Sequence, residues 1–265
     1  MNMESRSPRY DRQLLLAGAK RNTVLDLSEV LRYGAESWQD PDYVCLYGMR
    51  PADWYSKGIR IIGRTAVECT RDALADAMAR DIAAVAARAP DTSSALIVDP
   101  FTGSGNTLYW MLRHASNARG FGFELDPLVF QLTSQNLAAL GLSGEIARRD
   151  YRQGLHELKV APGELLIAFI APPWGDALNT STGLDLRATT PPIGDIVDAF
   201  NAEFADNPLL FAIQIHETVN PHSMAPLLQR FAWSEQRLYR FNEPGQNHGL
   251  LIGTHRWVPQ SQAPS

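Results

Sequence analysis

The segment Asp99-Pro100-Phe101-Thr102-Gly103-Ser104-Gly105-Asn106 constrains this chain more than any other. Ahead of it, Ala95-Leu96-Ile97-Val98 is a short apolar, β-branched run that reads as a buried parallel strand; behind it, Thr107 to His114 reads as a helix. Glycines at 103 and 105 allow a tight strand-to-helix turn that leaves room for a ligand against bare amides at the helix N-terminus. That is a pocket of the nucleotide type. The third glycine of a dinucleotide-binding G-x-G-x-x-G turn is absent, its place being taken by Leu108, and the acid Asp99 stands at the strand end. Aspartate there suits a cationic ligand better than a pyrophosphate. An ordinary glycine turn without a ligand is the alternative.

From Ala95 onward, strand-like runs alternate with helix-like segments, the pattern of a doubly wound, mostly parallel sheet with helices on both faces. Seven strands are expected: Ala95 to Asp99, Gly120 to Glu124, Glu145 to Arg148, Leu165 to Ala171, Leu209 to His216, and a closing hairpin of Phe231 to Phe241 with Gly249 to Trp257. Glu243-Pro244-Gly245-Gln246-Asn247 supplies its turn. Pro127 to Leu140 reads as a helix ended by Gly141. Upstream, Val67, Leu74, Met78, Ile82 and Val85 fall at helical spacing and predict one long amphipathic helix over 65–88. The first sixty residues suggest short helices at Leu14 to Leu16 and Val24 to Leu31, then a loop-like stretch carrying Tyr33, Trp38, Tyr43, Tyr47, Trp54 and Tyr55. The organisation expected is therefore an extension over 1–64, a ligand-binding catalytic domain over 65–258 and a flexible tail over 259–265. The extension, with Trp38, Trp54 and Tyr55, is read either as a lid over the pocket or as plain packing onto the domain.

Composition narrows the partners. With Lys+Arg at 24 against Asp+Glu at 29, the net charge of −5 opposes long-range attraction to a polyanion, so nucleic acid is not the expected partner. The N-terminus has no apolar leader and no run is long enough to span a bilayer, so a cytoplasmic protein without membrane attachment is expected. Cys45 and Cys69 have no metal-ligand spacing, and no His/Cys/Asp cluster does, so no metal is expected. A small-molecule substrate follows, and a homodimer is left open.

Individual residues then take roles. Glu124, at the end of the second strand and about twenty residues beyond the glycine turn, can accept from both hydroxyls of a ribose. The alternative is a surface acid capping the next helix, a role that Asp126 before Pro127 fits better. Asp150-Tyr151 follows the third strand, where a carboxylate can accept from an adenine amino group and a backbone amide can read a ring nitrogen; a plain loop aspartate beside Arg148 and Arg149 is the alternative. After the fourth strand stands Ala171-Pro172-Pro173-Trp174. Trp174 reads as a cation-π partner or as packing. His216 ends the fifth strand on the same side, as a proton acceptor or as a buried structural histidine.

Together these pieces resemble the class I S-adenosylmethionine-dependent methyltransferases from about Thr65 to Trp257: Asp-Pro-Phe-x-Gly-x-Gly, the acid ending strand two, the Asp after strand three and Pro-Pro-Trp after strand four occur in that order. Within the class, Asp53-Trp54-Tyr55-Ser56, Pro172-Pro173-Trp174-Gly175 and Thr182-Gly183-Leu184-Asp185-Leu186-Arg187 resemble segments of the cap guanine-N2 methyltransferases of the trimethylguanosine synthase type. The resemblance implies a Rossmann-like class I methyltransferase fold and S-adenosylmethionine as methyl donor or as substrate. It places Asp99, Phe101, Thr102, Gly103, Gly105, Asn106, Glu124, Leu125, Asp150, Tyr151 and Pro172 at the cofactor, and Trp174, Ala171 and His216 at the chemistry, with Trp174 as a stacking platform for a flat substrate.

Two departures bear on the reaction. Amine-modifying relatives usually carry Asp, Asn or Ser before Pro-Pro, whose oxygen holds the amino group in line with the methyl, whereas this chain has Ala171. Its negative charge also does not suit a capped RNA. Three functions follow as expectations: N-methylation of a small, aromatic amine; cyclisation of S-adenosylmethionine to azetidine-2-carboxylate and methylthioadenosine; or cofactor binding without catalysis.

Overall fold

The computed structural model describes residues 10–90, 94–142, 144–179, 181–240 and 248–260. The extension contains α1 (Gln13–Leu16), α2 (Leu27–Trp38) and α3 (Pro51–Ser56), followed by α4 (Gly63–Glu68) and α5 (Asp72–Ala86). Then come β1 (Ala95–Asp99), α6 (Asn106–His114), β2 (Ala118–Phe123), α7 (Pro127–Ala139), β3 (Glu145–Ala147), α8 (Tyr151–Gly154) and β4 (Leu165–Ile170). After a small ribbon of β5 (Leu178–Asn179) and β6 (Gly183–Leu184), the chain continues through α9 (Ile193–Glu203), β7 (Leu209–His216), α10 (Pro221–Leu228), β8 (Trp233–Tyr239) and β9 (His248–His255).

One seven-stranded sheet runs in the order β3-β2-β1-β4-β7-β9-β8. The first five strands are parallel, and β9 enters antiparallel between β7 and β8. The central strand β4 is a continuous apolar run, and β7 is one apart from Gln214 and the terminal His216, because helices cover both their faces. On one face, Leu74, Met78, Ile82 and Met111 from α5 and α6 pack on Ile97, Ile167, Phe169 and Leu210. On the other, Ile196, Val197, Phe200 and Leu227 from α9 and α10 pack on Val98, Leu166, Ala168 and Phe211. The outermost strand β8 alternates half-buried and exposed residues, as a strand with one wet face must. A third cluster, with Tyr33, Leu46, Tyr47, Trp54 and Ile59, binds the extension to Leu137 of α7.

Sequence expectation and structure part company at four places. The long helix over 65–88 is two helices, because Cys69 and Arg71 are extended. Between them, the Thr70 carbonyl accepts from Asn106 Nδ2 at 2.8 Å, an interaction from 36 residues away that periodicity does not register. Trp38 lies on α2 and Trp54 and Tyr55 on α3, where a loop is expected. The ribbon of β5 and β6 is additional. Finally, Pro259 and Gln260 are held rather than frayed: the Gln260 amide donates to the Arg88 carbonyl, and Arg88 Nε donates back to that of Gln260. The expected turn at 243–247 and tail residues 261–265 lie outside the described residues.

Candidate functional site

The sheet order reverses direction between β1 and β4, and in open α/β sheets the carboxyl ends of the strands at such a point form a ligand crevice. The turn from β1 to α6 sits at that edge. Gly103 (φ 50°) and Gly105 (φ 74°) take left-handed backbone that side chains rarely adopt. Gly122 on β2 lets the turn seat: a Cβ there would stand 2.2 Å from Thr102 Oγ1. The turn is then fixed by hydrogen bonds. The Thr102 amide donates to the Phe123 carbonyl at 3.0 Å, Thr102 Oγ1 donates to the Asp99 carbonyl at 3.1 Å, and Thr133 Oγ1 donates to the Gly103 carbonyl at 2.6 Å.

Two carboxylates flank this turn. Asp99 is buried at 2% exposure and accepts from the Phe101 amide at 3.0 Å. Glu124 accepts from the Gly103 amide through Oε2 at 3.0 Å and from the Asp126 amide through Oε1 at 2.8 Å. Burial pushes Asp99 up to about 7 and also raises Glu124, and the charge of Glu124 adds to the rise at Asp99. Among the described residues no salt bridge reaches either acid; Arg64 pairs with Asp126 at 2.8 Å instead. Asp126 caps α7 by accepting from the Leu128 and Val129 amides, leaving Glu124 as the acid that faces the turn. Beside it Leu125 is 64% exposed, an apolar shelf next to a polar turn.

The other expected cofactor residues divide. Asp150 caps α8 through the Arg152 amide and is gripped by the Arg152 guanidinium at 3.0 and 2.7 Å, which holds its carboxyl below the usual range. Its salt-bridge partner is therefore Arg152 rather than Arg148 or Arg149. Tyr151 is buried, with its ring stacked on Phe200 and edge-on to Phe101, so only its backbone is offered to a ligand. Asn106 is likewise committed: its Oδ1 accepts from the Tyr47 amide at 2.7 Å while Nδ2 holds Thr70. Tyr47 also donates its hydroxyl to the Ser104 carbonyl. Thus the extension reaches the glycine turn through Tyr47, a residue that sequence reading leaves in the aromatic crowd.

Trp38, Trp54 and Tyr55 are used within the extension. Trp54 is 1% exposed and donates Nε1 to the Val44 carbonyl at 3.0 Å. Trp38 stacks on Tyr43 with centroids 4.7 Å apart, and the Arg60 guanidinium lies 3.6 Å over the Tyr55 ring. These contacts match the packing alternative for all three rings.

At the other half of the edge, Ala171 follows β4 and Pro172 is buried, placing half-buried Trp174 near the ends of β7 and β9. The Trp174 ring lies 5.9 Å from that of His216, edge-on, and 5.6 Å from that of His248, tilted by 36°. The two histidines face each other in the β7–β9 register. His216 Nδ1 lies 3.1 Å from the Thr218 amide and 3.2 Å from the Thr218 carbonyl, so this nitrogen is engaged by the chain's own backbone in either tautomer. His248 is the residue sequence reading missed, because only the antiparallel insertion of β9 brings it beside Trp174. Burial holds its imidazole down at about 4, and the nearby His216 and Arg71 push the same way.

A separate cavity of about 580 Å³ opens beside β3, lined by Phe121, Phe123, Ile146, Ala147 and Leu158 among others. None of the expected site residues lines it. Among the described residues no group of three His, Cys, Asp or Glu could hold a metal, and no helix is long and apolar enough to cross a membrane.

No protein-family model matches the sequence, and no curated protein matches it. Solved structures do. The METTL16 methyltransferase domain is 12% identical over 73% of this chain and 72% of that one, with a TM-score of 0.51, and a second crystal form gives 12%, 71%, 70% and 0.51. This chain has the class I methyltransferase fold. The same fold with weaker overlap is found in an rRNA methylase from Streptococcus thermophilus, 13% identical over 68% of this chain and 96% of that one, at a TM-score of 0.43. In the class I fold of this chain the glycine turn, Glu124 and Trp174 all fall along one strand-end edge.

Proposed function

We propose that the protein binds S-adenosylmethionine at the glycine turn and transfers its methyl group to a small, flat aromatic amine. The observation that carries this reading is the pair of carboxylates, Asp99 and Glu124, set on a tightly bonded turn without a basic side chain in salt-bridge contact among the described residues. Such a site fits a ligand that brings its own positive charge and hydroxyls, and it repels a pyrophosphate. Glu124 would hold the ribose hydroxyls, Asp99 the charged end, and Leu125 with the backbone at Asp150 and Tyr151 the adenine. The METTL16 domain, whose name describes a methyltransferase, supports the same reading at the level of fold.

When bound, S-adenosylmethionine would supply an electrophilic methyl carbon: the lone pair of the acceptor nitrogen takes it as the carbon–sulfur bond breaks, leaving a neutral thioether, and the methylated nitrogen releases its proton to water. Trp174 provides a ring against which a flat acceptor can stack, and stiff Pro172-Pro173 fixes that ring outside the strand ends. Orientation is the main contribution asked of the protein in such an in-line transfer. A negatively charged chain with Ala171 in place of the usual polar residue favours a small neutral acceptor over the capped RNA that a cap guanine-N2 methyltransferase would take.

Ala171 also favours a second reading, in which the amino group of S-adenosylmethionine displaces its own sulfonium to give azetidine-2-carboxylate and methylthioadenosine. One incubation of the purified protein, first with S-adenosylmethionine alone and then with a panel of aromatic amines, separates the readings by mass spectrometry. S-adenosylhomocysteine with a methylated amine is the expected result. Methylthioadenosine without an amine identifies the cyclase, bound cofactor without turnover identifies a binding protein, and absence of binding overturns the site.

A further inference from the structure

The glycine turn is joined to the aromatic half of the edge by a run of hydrogen bonds that neither the fold nor the cofactor requires. Asn106, on the first turn of α6, donates to the Thr70 carbonyl at 2.8 Å. The Thr70 hydroxyl donates to Gln214 Oε1 at 3.0 Å, and Gln214 Nε2 lies 3.4 Å from His248 Nδ1. Gln214 is buried at 8% exposure on β7, two residues before His216, and His248 begins the neighbouring strand β9. Thr70, in the break between α4 and α5, is the joint of this run.

The run sets the tautomer of His248. Because the Gln214 carbonyl oxygen is engaged by the Thr70 hydroxyl, its amide nitrogen is the group turned to the imidazole, and an amide nitrogen only donates. Nδ1 must therefore accept. A neutral imidazole with an accepting Nδ1 carries its proton on Nε2. Burial keeps the ring neutral, so the Nε2 proton is a fixed donor beside Trp174. His216 Nδ1 stands 3.1 Å from the Thr218 amide and 3.2 Å from the Thr218 carbonyl, so the backbone there does not select its tautomer. This half of the edge thus offers the N–H donor of His248 and an indole, where an amine-modifying relative would offer a side-chain oxygen before Pro-Pro.

We propose that His248, oriented by Gln214 as a positioning residue, selects the acceptor by donating Nε2–H to a lone pair on it, so that the substrate class is a flat amine carrying a ring nitrogen or carbonyl oxygen. This rests on the methyl-transfer reading of the site. Recognition of this kind is discriminating because an acceptor lacking the lone pair leaves a partly buried N–H unmatched.

The test uses two flat amines of the same shape, 3-aminoquinoline and 2-naphthylamine, which differ in one ring nitrogen. Each is titrated calorimetrically into the full-length protein saturated with S-adenosylhomocysteine. The native protein is expected to bind the aminoquinoline about tenfold more tightly. His248→Leu should level the pair, whereas His248→Gln, which keeps a donor, should retain most of the preference. Equal binding by the native protein, or a preference that survives in His248→Leu, overturns the proposal. A spectroscopic arm needs no acceptor: ¹⁵N signals of the His248 ring should show a bare Nδ1 and a protonated Nε2, and Gln214→Glu should move the proton to Nδ1. The reverse tautomer in the native protein overturns the proposal as well. Failure to bind S-adenosylhomocysteine in the first titration counts against the cofactor reading alone, and the ring signals still decide the role of His248.

Discussion

At the ends of β1 and β2 the chain sets a buried carboxylate, Asp99, and a half-buried one, Glu124, around a turn of glycines; at the ends of β4, β7 and β9 it sets an indole and two imidazoles beside an alanine. Both halves lie on one edge of one sheet, yet they invite opposite partners. The first has excess negative charge and a backbone bonded at nearly every amide, so it suits a rigidly held cation with hydroxyls. The second has donors, rings and no carboxylate at the position before Pro-Pro, so it suits a neutral, flat molecule. A single strand-end crevice that takes a charged donor and an uncharged acceptor, as proposed, would seat the donor's charge beside the carboxylates of the first half.

The largest test of this contrast is to remove a carboxylate. Glu124→Ala deletes the acceptor for the Gly103 amide and for the ligand hydroxyls, and charged hydrogen bonds of this kind contribute about 1.5–3 kcal/mol each. Calorimetric titration should show S-adenosylmethionine binding weakened by roughly a hundredfold. A change within about twofold would remove Glu124 from the site.

Trp174→Ala probes the other half and should have a smaller, separate effect. Loss of an aromatic platform is expected to raise the acceptor KM about tenfold while the cofactor Kd stays within about twofold. A cofactor Kd that moves as much as the acceptor KM would erase the division between the halves.

A third effect is on stability against pH, where the halves should slope in opposite directions. Asp99, facing Glu124, keeps its proton in the folded chain up to about 7 against an ordinary 3.8, so its contribution is full below about 4 and is lost as pH rises to about 7. His248, facing His216, Arg71 and Glu217, is held down at about 4 against an ordinary 6.5, so its contribution is full above 6.5 and is lost as pH falls to about 4. Thermal melts of the cofactor-free protein should show Asp99→Asn gaining on the parent chain as pH rises across this window, and His248→Gln gaining as it falls. Two variants with the same slope would contradict the assignment.

Much of the first half is readable from sequence because its determinants are local. Glycines 103 and 105 stand between an apolar run and a helix, and Asp126-Pro127 announces the start of α7, so strand, turn and cap are written within thirty residues. The apolar run that opens β7 likewise marks that strand, since a strand buried on both faces is mostly apolar, with Gln214 as its one polar interruption before His216. The second half is assembled from distant pieces. His248 reaches Trp174 only through the placement of β9, and the break at Cys69 to Arg71 depends on the side chain of Asn106. Trp54, read from sequence either as part of a lid or as packing, fills the interior of the extension, where its indole N–H finds the Val44 carbonyl. An aromatic ring in a loop-like stretch carries no local mark of which way it faces.

The insertion of β9 between β7 and β8 has a consequence for biosynthesis. During translation β7 emerges first and β8 second, but β8 joins the sheet only through β9, which follows it in the chain. Until that strand arrives, the outer edge of β7 is open and Gln214 and His216 have no neighbour on that side. The tryptophan–histidine half is thus completed after the glycine-turn half, and a nascent chain stalled before His248 would carry the glycine turn and its carboxylates on an unfinished sheet.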